Sequence, residues 1–159
     1  MIQQMPIMDG TKMNTVLPIA VVDDDPAVRE LLSDVLIDEG YTPHLFDGTD
    51  GTYQGIRAVS PAVVILDLHV GEPDAGWALL NHIGADPALE RAAIIICSGD
   101  DTGLDEHRAA LEGRTHAVLP KPFDLDDLAA LLQRLTYQRL TYQTTPDHDR
   151  MRLLGGVQP

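Results

Sequence analysis

Short apolar runs alternate along this chain with stretches in which apolar residues return at helical spacing. The runs 19–22, 62–66 and 93–97 are almost unbroken, the pattern of strands covered on both faces. Thr42–Phe46 and the segment 117–119 are weaker runs of the same kind. Between the first two runs, Asp25 precedes Pro26 as a candidate N-cap, and Ala27, Val28, Leu31, Leu32, Val35 and Leu36 recur at helical spacing until Gly40. A second helix is predicted over Thr52–Val59, with Ile56 and Val59 facing inward. A third covers 75–83, closed by Gly84 and Pro87. A fourth covers 104–111, before Gly113, and Leu125, Leu128, Ala129, Leu132 and Leu135 mark a fifth. Five β-α pairs predict an α/β fold, a parallel sheet with helices on both faces. No linker or second core is visible.

The segment after Leu135 contains a small repeat, Leu-Thr-Tyr-Gln at 135–138 and again at 140–143. A period of five turns the copies to different helix faces. This region is expected to be a frayed helix end followed by a disordered tail over 141–159. The first 18 residues lack the basic start and apolar centre of a signal peptide and are expected to form a flexible extension.

Composition narrows the class. The chain has 159 residues, enough for one domain with a real core, and 44% of them are hydrophobic. With 25 acidic and 11 basic residues the formal net charge is -14. That balance argues against direct binding to nucleic acid or an anionic membrane. No apolar run approaches the length needed to span a bilayer. One cysteine, Cys97, excludes an intramolecular disulfide and fits a reducing, cytoplasmic setting.

Polar residues sit at the ends of the apolar runs. Asp23 and Asp24 follow the first, Asp67 the third, Ser98 the fourth and Lys121 the fifth. In an open α/β sheet, ligands bind at the carboxyl ends of the strands, so these side chains are expected to converge. Clustered carboxylates call for a cation, and a hard ion such as Mg²⁺ suits oxygen donors. The set suits phosphoryl transfer: a carboxylate nucleophile, two carboxylates for a metal, a hydroxyl donor and a compact cation. Read singly, each residue is ordinary. Asp25 is a helix cap, Ser98-Gly99 a turn dipeptide, and Lys121 a lysine between prolines.

Taken together, the segments Val21 to Pro26, Leu66-Asp67-Leu68, Ser98-Gly99 and Lys121-Pro122-Phe123 resemble the receiver domain of bacterial two-component response regulators. The likeness spans roughly residues 19–135, and a receiver domain is placed at 19–140. The resemblance implies a flavodoxin-like (βα)5 doubly wound sandwich with a five-stranded parallel sheet in the order 2-1-3-4-5. It implies Asp67 as phosphoacceptor, with Ser98 and Lys121 contacting the phosphoryl group. It implies Mg²⁺ as cofactor, held by Asp23, Asp24, Asp67 and the backbone carbonyl of His69. The Lys121–Pro122 bond would be cis. His69 and Asp100 would flank the phosphoryl group. The phosphoryl donor would be a sensor histidine kinase or a histidine phosphotransfer protein. Output would run through protein–protein contacts, including a homodimer built on the fourth helix, fifth strand and fifth helix. Such a module acts chemically only on itself.

The sequence departs from the family pattern in three places. The family has proline four residues after the phosphoacceptor and glycine eight after it. Here Gly71 takes the first place and Gly76 falls one residue late, so the loop is expected to be longer by one. Val118 stands where the family has its rotating aromatic. About two dozen residues follow Leu135, too few for a DNA-binding output module. These departures leave open a receiver-fold interaction module indifferent to phosphate. An Mg²⁺-dependent phosphatase would need an Asp-x-Asp pair, and 67–69 reads Asp-Leu-His. The six histidines show no metal-ligand spacing, Trp77 is expected to pack, and Cys97 is expected in the core.

Overall fold

The computed structural model describes residues 16–99 and 117–144. The helix expected over 104–111, and Asp100, lie outside these residues. Five strands, β1 (Pro18–Val22), β2 (Thr42–Phe46), β3 (Val63–Leu66), β4 (Ala93–Ser98) and β5 (Ala117–Pro120), form one parallel sheet in the order β2-β1-β3-β4-β5. The described helices are α1 (Pro26–Asp38), α2 (Thr52–Val59), α3 (Ala75–Ala85) and α4 (Leu125–Thr144), with a 3₁₀ turn at Pro87–Leu89.

Strand alternation splits the core into two layers. Ile19 and Val21 of β1, Val63 and Ile65 of β3, and Ile95 and Cys97 of β4 pack with Leu32 and Leu36 of α1 and Leu128 and Leu132 of α4. The intervening residues, among them Ala20, Val22, Leu66 and Ile96, pack with Ile56 of α2 and Leu80 and Ile83 of α3. The three central strands are covered on both faces, which is why they read as continuous apolar runs. Each large side chain in these layers contributes about 1.5–3 kcal/mol by leaving water. β2 lies at one edge, where Pro43 forfeits no central ladder bond.

The boundaries of α1 follow their capping chemistry. The Asp25 carboxylate accepts from the Ala27 N–H at 2.9 Å, with Pro26 at the first helical position, and Gly40 at φ 88° turns the chain out of α1. Two of the six periodic residues of α1 face outward instead of inward: Ala27 and Leu31 are exposed. The six span more arc than the single stripe, centred on Leu32 and Leu36, that meets the sheet. The third helix runs to Ala85 and not 83, because Gly84 continues the helix and Asp86 then caps the 3₁₀ turn. β4 includes Ser98, and α4 carries both copies of the Leu-Thr-Tyr-Gln repeat as far as Thr144. Val59 is half-buried, Trp77 packs against the core and Cys97 is buried.

Between β1 and β3 the direction of winding reverses. The chain leaves β1 for β2 on one side and returns to β3 on the other. This is the topological switch point, and Asp23 and Asp67 are the residues that leave its two strands.

Candidate phosphoryl-transfer and metal site

Backbone ladder bonds carry the sheet one step beyond the strands and fix the site's main chain. The Asp23 N–H donates to the Phe46 carbonyl at 3.1 Å, and the Asp67 N–H to the Val22 carbonyl at 2.9 Å. The Lys121 N–H donates to the Ser98 carbonyl at 2.8 Å, beyond which the Lys121–Pro122 bond is cis. Asp23, Asp67 and Ser98 are therefore buried at the ends of adjacent strands.

Side-chain bonds then tie the residues together. The Lys121 ammonium donates to Asp23 Oδ2 at 2.7 Å and to Asp67 Oδ2 at 3.2 Å. The Asp25 N–H donates to Asp23 Oδ1 at 2.9 Å, and the His69 N–H to Asp67 Oδ1 at 2.9 Å. Burial works against the Lys121 charge, but the Asp23 hydrogen bond and the charges of Asp67 and Asp23 outweigh it, holding the ammonium above the ordinary lysine range. Burial pushes the neighbouring Cys97 thiol up to about 12, so it is a core residue and no nucleophile.

Asp24 is exposed beside this buried pair, and one carboxylate oxygen each from Asp23, Asp24 and Asp67 lies within 4.8 Å of the others. A hard divalent cation with bond lengths of about 2.0–2.6 Å separates opposed oxygens by roughly 4–5 Å. The three oxygens fit such an ion. Ser98 lies at the end of β4, and His69 follows Asp67 with its side chain exposed. Asp23, Asp24, Asp67, His69, Ser98 and Lys121 thus gather at the carboxyl edge of the sheet. A cavity of about 850 Å³ between α2 and α3, lined by Tyr53, His82 and Asp86 among others, includes none of them.

A family model of the response regulator receiver domain matches residues 19–133. The chain belongs to the response regulator receiver domain family. Among its relatives, the DNA-binding transcriptional regulator NtrC of Escherichia coli is 31% identical over 114 residues, which cover 72% of this chain and 24% of that protein. The response regulator MprA of Mycolicibacterium vanbaalenii is 31% identical over 129 residues, covering 81% of this chain and 52% of that one. The chain spans about a quarter of the length of the NtrC proteins it matches. Two solved structures are among those that share the fold. One is the receiver domain of a sensor histidine kinase from Pseudomonas aeruginosa with a magnesium ion coordinated in its active-site cleft, at TM-score 0.64 and 24% identity over 76% of this chain and 97% of that one. The other is a CheY-like response regulator receiver domain from Methylobacillus flagellatus, at TM-score 0.65 and 22% identity over 76% of this chain and 99% of that one. The receiver is a signalling module, and no helix among its described residues is long and apolar enough to cross a membrane.

The structure also brings in residues that sequence reasoning missed. Arg29 of α1 reaches back to donate from Nη1 to the Asp23 carbonyl at 2.6 Å. The signal was its place at the end of the first helical turn, where a cation opposes the helix dipole. Away from the site, Asp86 accepts from the Tyr53 hydroxyl at 2.5 Å and the Ala88 N–H at 2.9 Å, and pairs with Arg57 at 3.2 Å. Among these partners the Tyr53 hydroxyl does most to hold the carboxyl below the usual range. No motif marked this clip.

Proposed function

We propose that this receiver is a phosphorylation-controlled switch in which Asp67 accepts a phosphoryl group from a phosphohistidine of a sensor kinase or phosphotransfer protein. The observation that carries this reading is the Asp67 carboxylate held between the His69 N–H and the Lys121 ammonium, beside two further carboxylates. An Asp67 oxygen attacks phosphorus, the P–N bond breaks, and the imidazole leaves with its electron pair and takes up a proton. A new P–O bond makes an acyl phosphate. Lys121 donates to a phosphoryl oxygen and Ser98 offers its hydroxyl to another. Asp23, Asp24, Asp67 and the His69 carbonyl would hold Mg²⁺, which when bound would neutralise charge on the incoming phosphoryl oxygens.

The reaction is confined to the protein's own Asp67, in the cytoplasm, and the output is protein–protein contact. The surface including β5 and α4 is the proposed homodimer face; Val118 is exposed there. Incubation with acetyl phosphate and Mg²⁺ is expected to add the mass of one phosphoryl group to the wild type and none to Asp67→Asn. No gain in the wild type, or an equal gain in the variant, would sink the reading.

A further inference from the structure

Four atoms of Asp23 are held by the protein. Its N–H is bonded to Phe46, Oδ1 to the Asp25 N–H and Oδ2 to Lys121, and its carbonyl oxygen accepts from Arg29. The last of these has the shortest distance, 2.6 Å. It is also the bond that reaches the peptide joining Asp23 to Asp24. Asp24 is exposed, and its carboxylate must approach the other two for a cation to bridge all three. The orientation of that peptide decides whether it does.

The position of Arg29 has a cost. It lies in the fourth position of α1, where the helix dipole disfavours a cation. It also brings positive charge to a corner where metal ions are attracted by negative charge, which by itself weakens cation binding. A residue that opposes both trends is explained by what its guanidinium holds.

We propose that Arg29 is a positioning residue for the divalent cation: by anchoring the Asp23 carbonyl it aims Asp23 and Asp24 at a common point. This rests on the reading of Asp23, Asp24 and Asp67 as a metal site. The two ideas separate in one calorimetric experiment, with Mg²⁺ titrated into wild type, Asp24→Asn and Arg29→Gln. Electrostatics alone predicts that Arg29→Gln binds Mg²⁺ more tightly. Positioning predicts weaker binding, about 10-fold, the usual scale for residues that orient metal ligands, with the metal-free melting temperature little changed. Wild-type or tighter affinity in Arg29→Gln overturns the role of Arg29 while leaving the metal site standing, provided Asp24→Asn loses binding. If the wild type binds no Mg²⁺, both fall. Should Arg29→Gln fail to fold, Arg29→Lys takes its place. Its shorter reach is again expected to weaken Mg²⁺ binding, and wild-type affinity in it overturns the proposal.

Discussion

Lys121 joins Asp23 and Asp67 through one ammonium, and its side chain is 26% exposed against 4% and 11% for the two carboxylates. Removing one member of such a set leaves like charges facing each other in a poorly hydrated place, at a cost on the order of 2 kcal/mol. Lys121→Met is therefore expected to unfold at lower denaturant than the wild type in metal-free buffer. Millimolar Mg²⁺ is expected to stabilise it more than it stabilises the wild type, because the ion replaces the missing charge. Equal stabilisation of the two proteins would mean that the lysine does not compensate the cluster. Cys97 gives a second test at this scale. With its thiol raised to about 12 and its side chain buried, it should resist iodoacetamide at roughly pH 8 in the folded protein and react once denaturant unfolds it. The residue types of the site were legible in the sequence because strand ends converge by topology. Arg29 left only the weak signal of a cation in a first helical turn, because its bond is to a main-chain carbonyl that no side-chain motif encodes.

Among the elements, the β3–α3 connection is one place where the sequence departs from the family pattern, and its path has a physical explanation. A Cβ on Gly76 would lie 2.1 Å from the Leu68 carbonyl oxygen and 2.7 Å from the Leu68 Cα. α3 therefore starts directly against the backbone that follows Asp67. Gly71 at φ 72° and Asp74 at φ 66° supply the turns that reach this contact. Gly76→Ala would have to push α3 off the loop, with an expected loss on the order of 2 kcal/mol or more and weaker Mg²⁺ binding, since the His69 N–H would move. Unchanged stability would show that the loop relaxes freely. The clip at the far end of α3 makes a pH-dependent prediction. The Asp86 carboxyl is lowered chiefly by the Tyr53 hydrogen bond. Its contribution to stability is present above the ordinary value of 3.8 and lost as pH falls through the lower folded value. Tyr53→Phe should lower the unfolding midpoint at neutral pH, and its difference from wild type should shrink as pH falls below 3.8. A constant difference would exclude the charge of Asp86 as the reason. Periodicity predicted the helices themselves, whereas Asp86, Tyr53 and Arg57 come from separate elements whose docking the sequence does not announce.

At the scale of the molecule, the winding of the sheet creates the site. β1 and β3 are neighbours although β2 lies between them in sequence, so Asp23 and Asp67 meet at a crevice with no side chain from β2 between them. The strands, their order and the converging carboxylates were legible because buried parallel strands are uniformly apolar and stop where polarity begins. The outward faces of α1 and the extent of α4 were less so. Helical spacing says which residues share an arc, and packing alone decides which part of it meets the sheet. The proposed switch depends on phosphorylation of one carboxylate. Borohydride reduces an acyl phosphate of aspartate to homoserine, so treating the acetyl phosphate-charged protein and sequencing its peptides by mass reads the modified position directly. Homoserine is expected at position 67, dependent on Mg²⁺; homoserine elsewhere, or none in a protein that has gained a phosphoryl group, would contradict a switch built on Asp67.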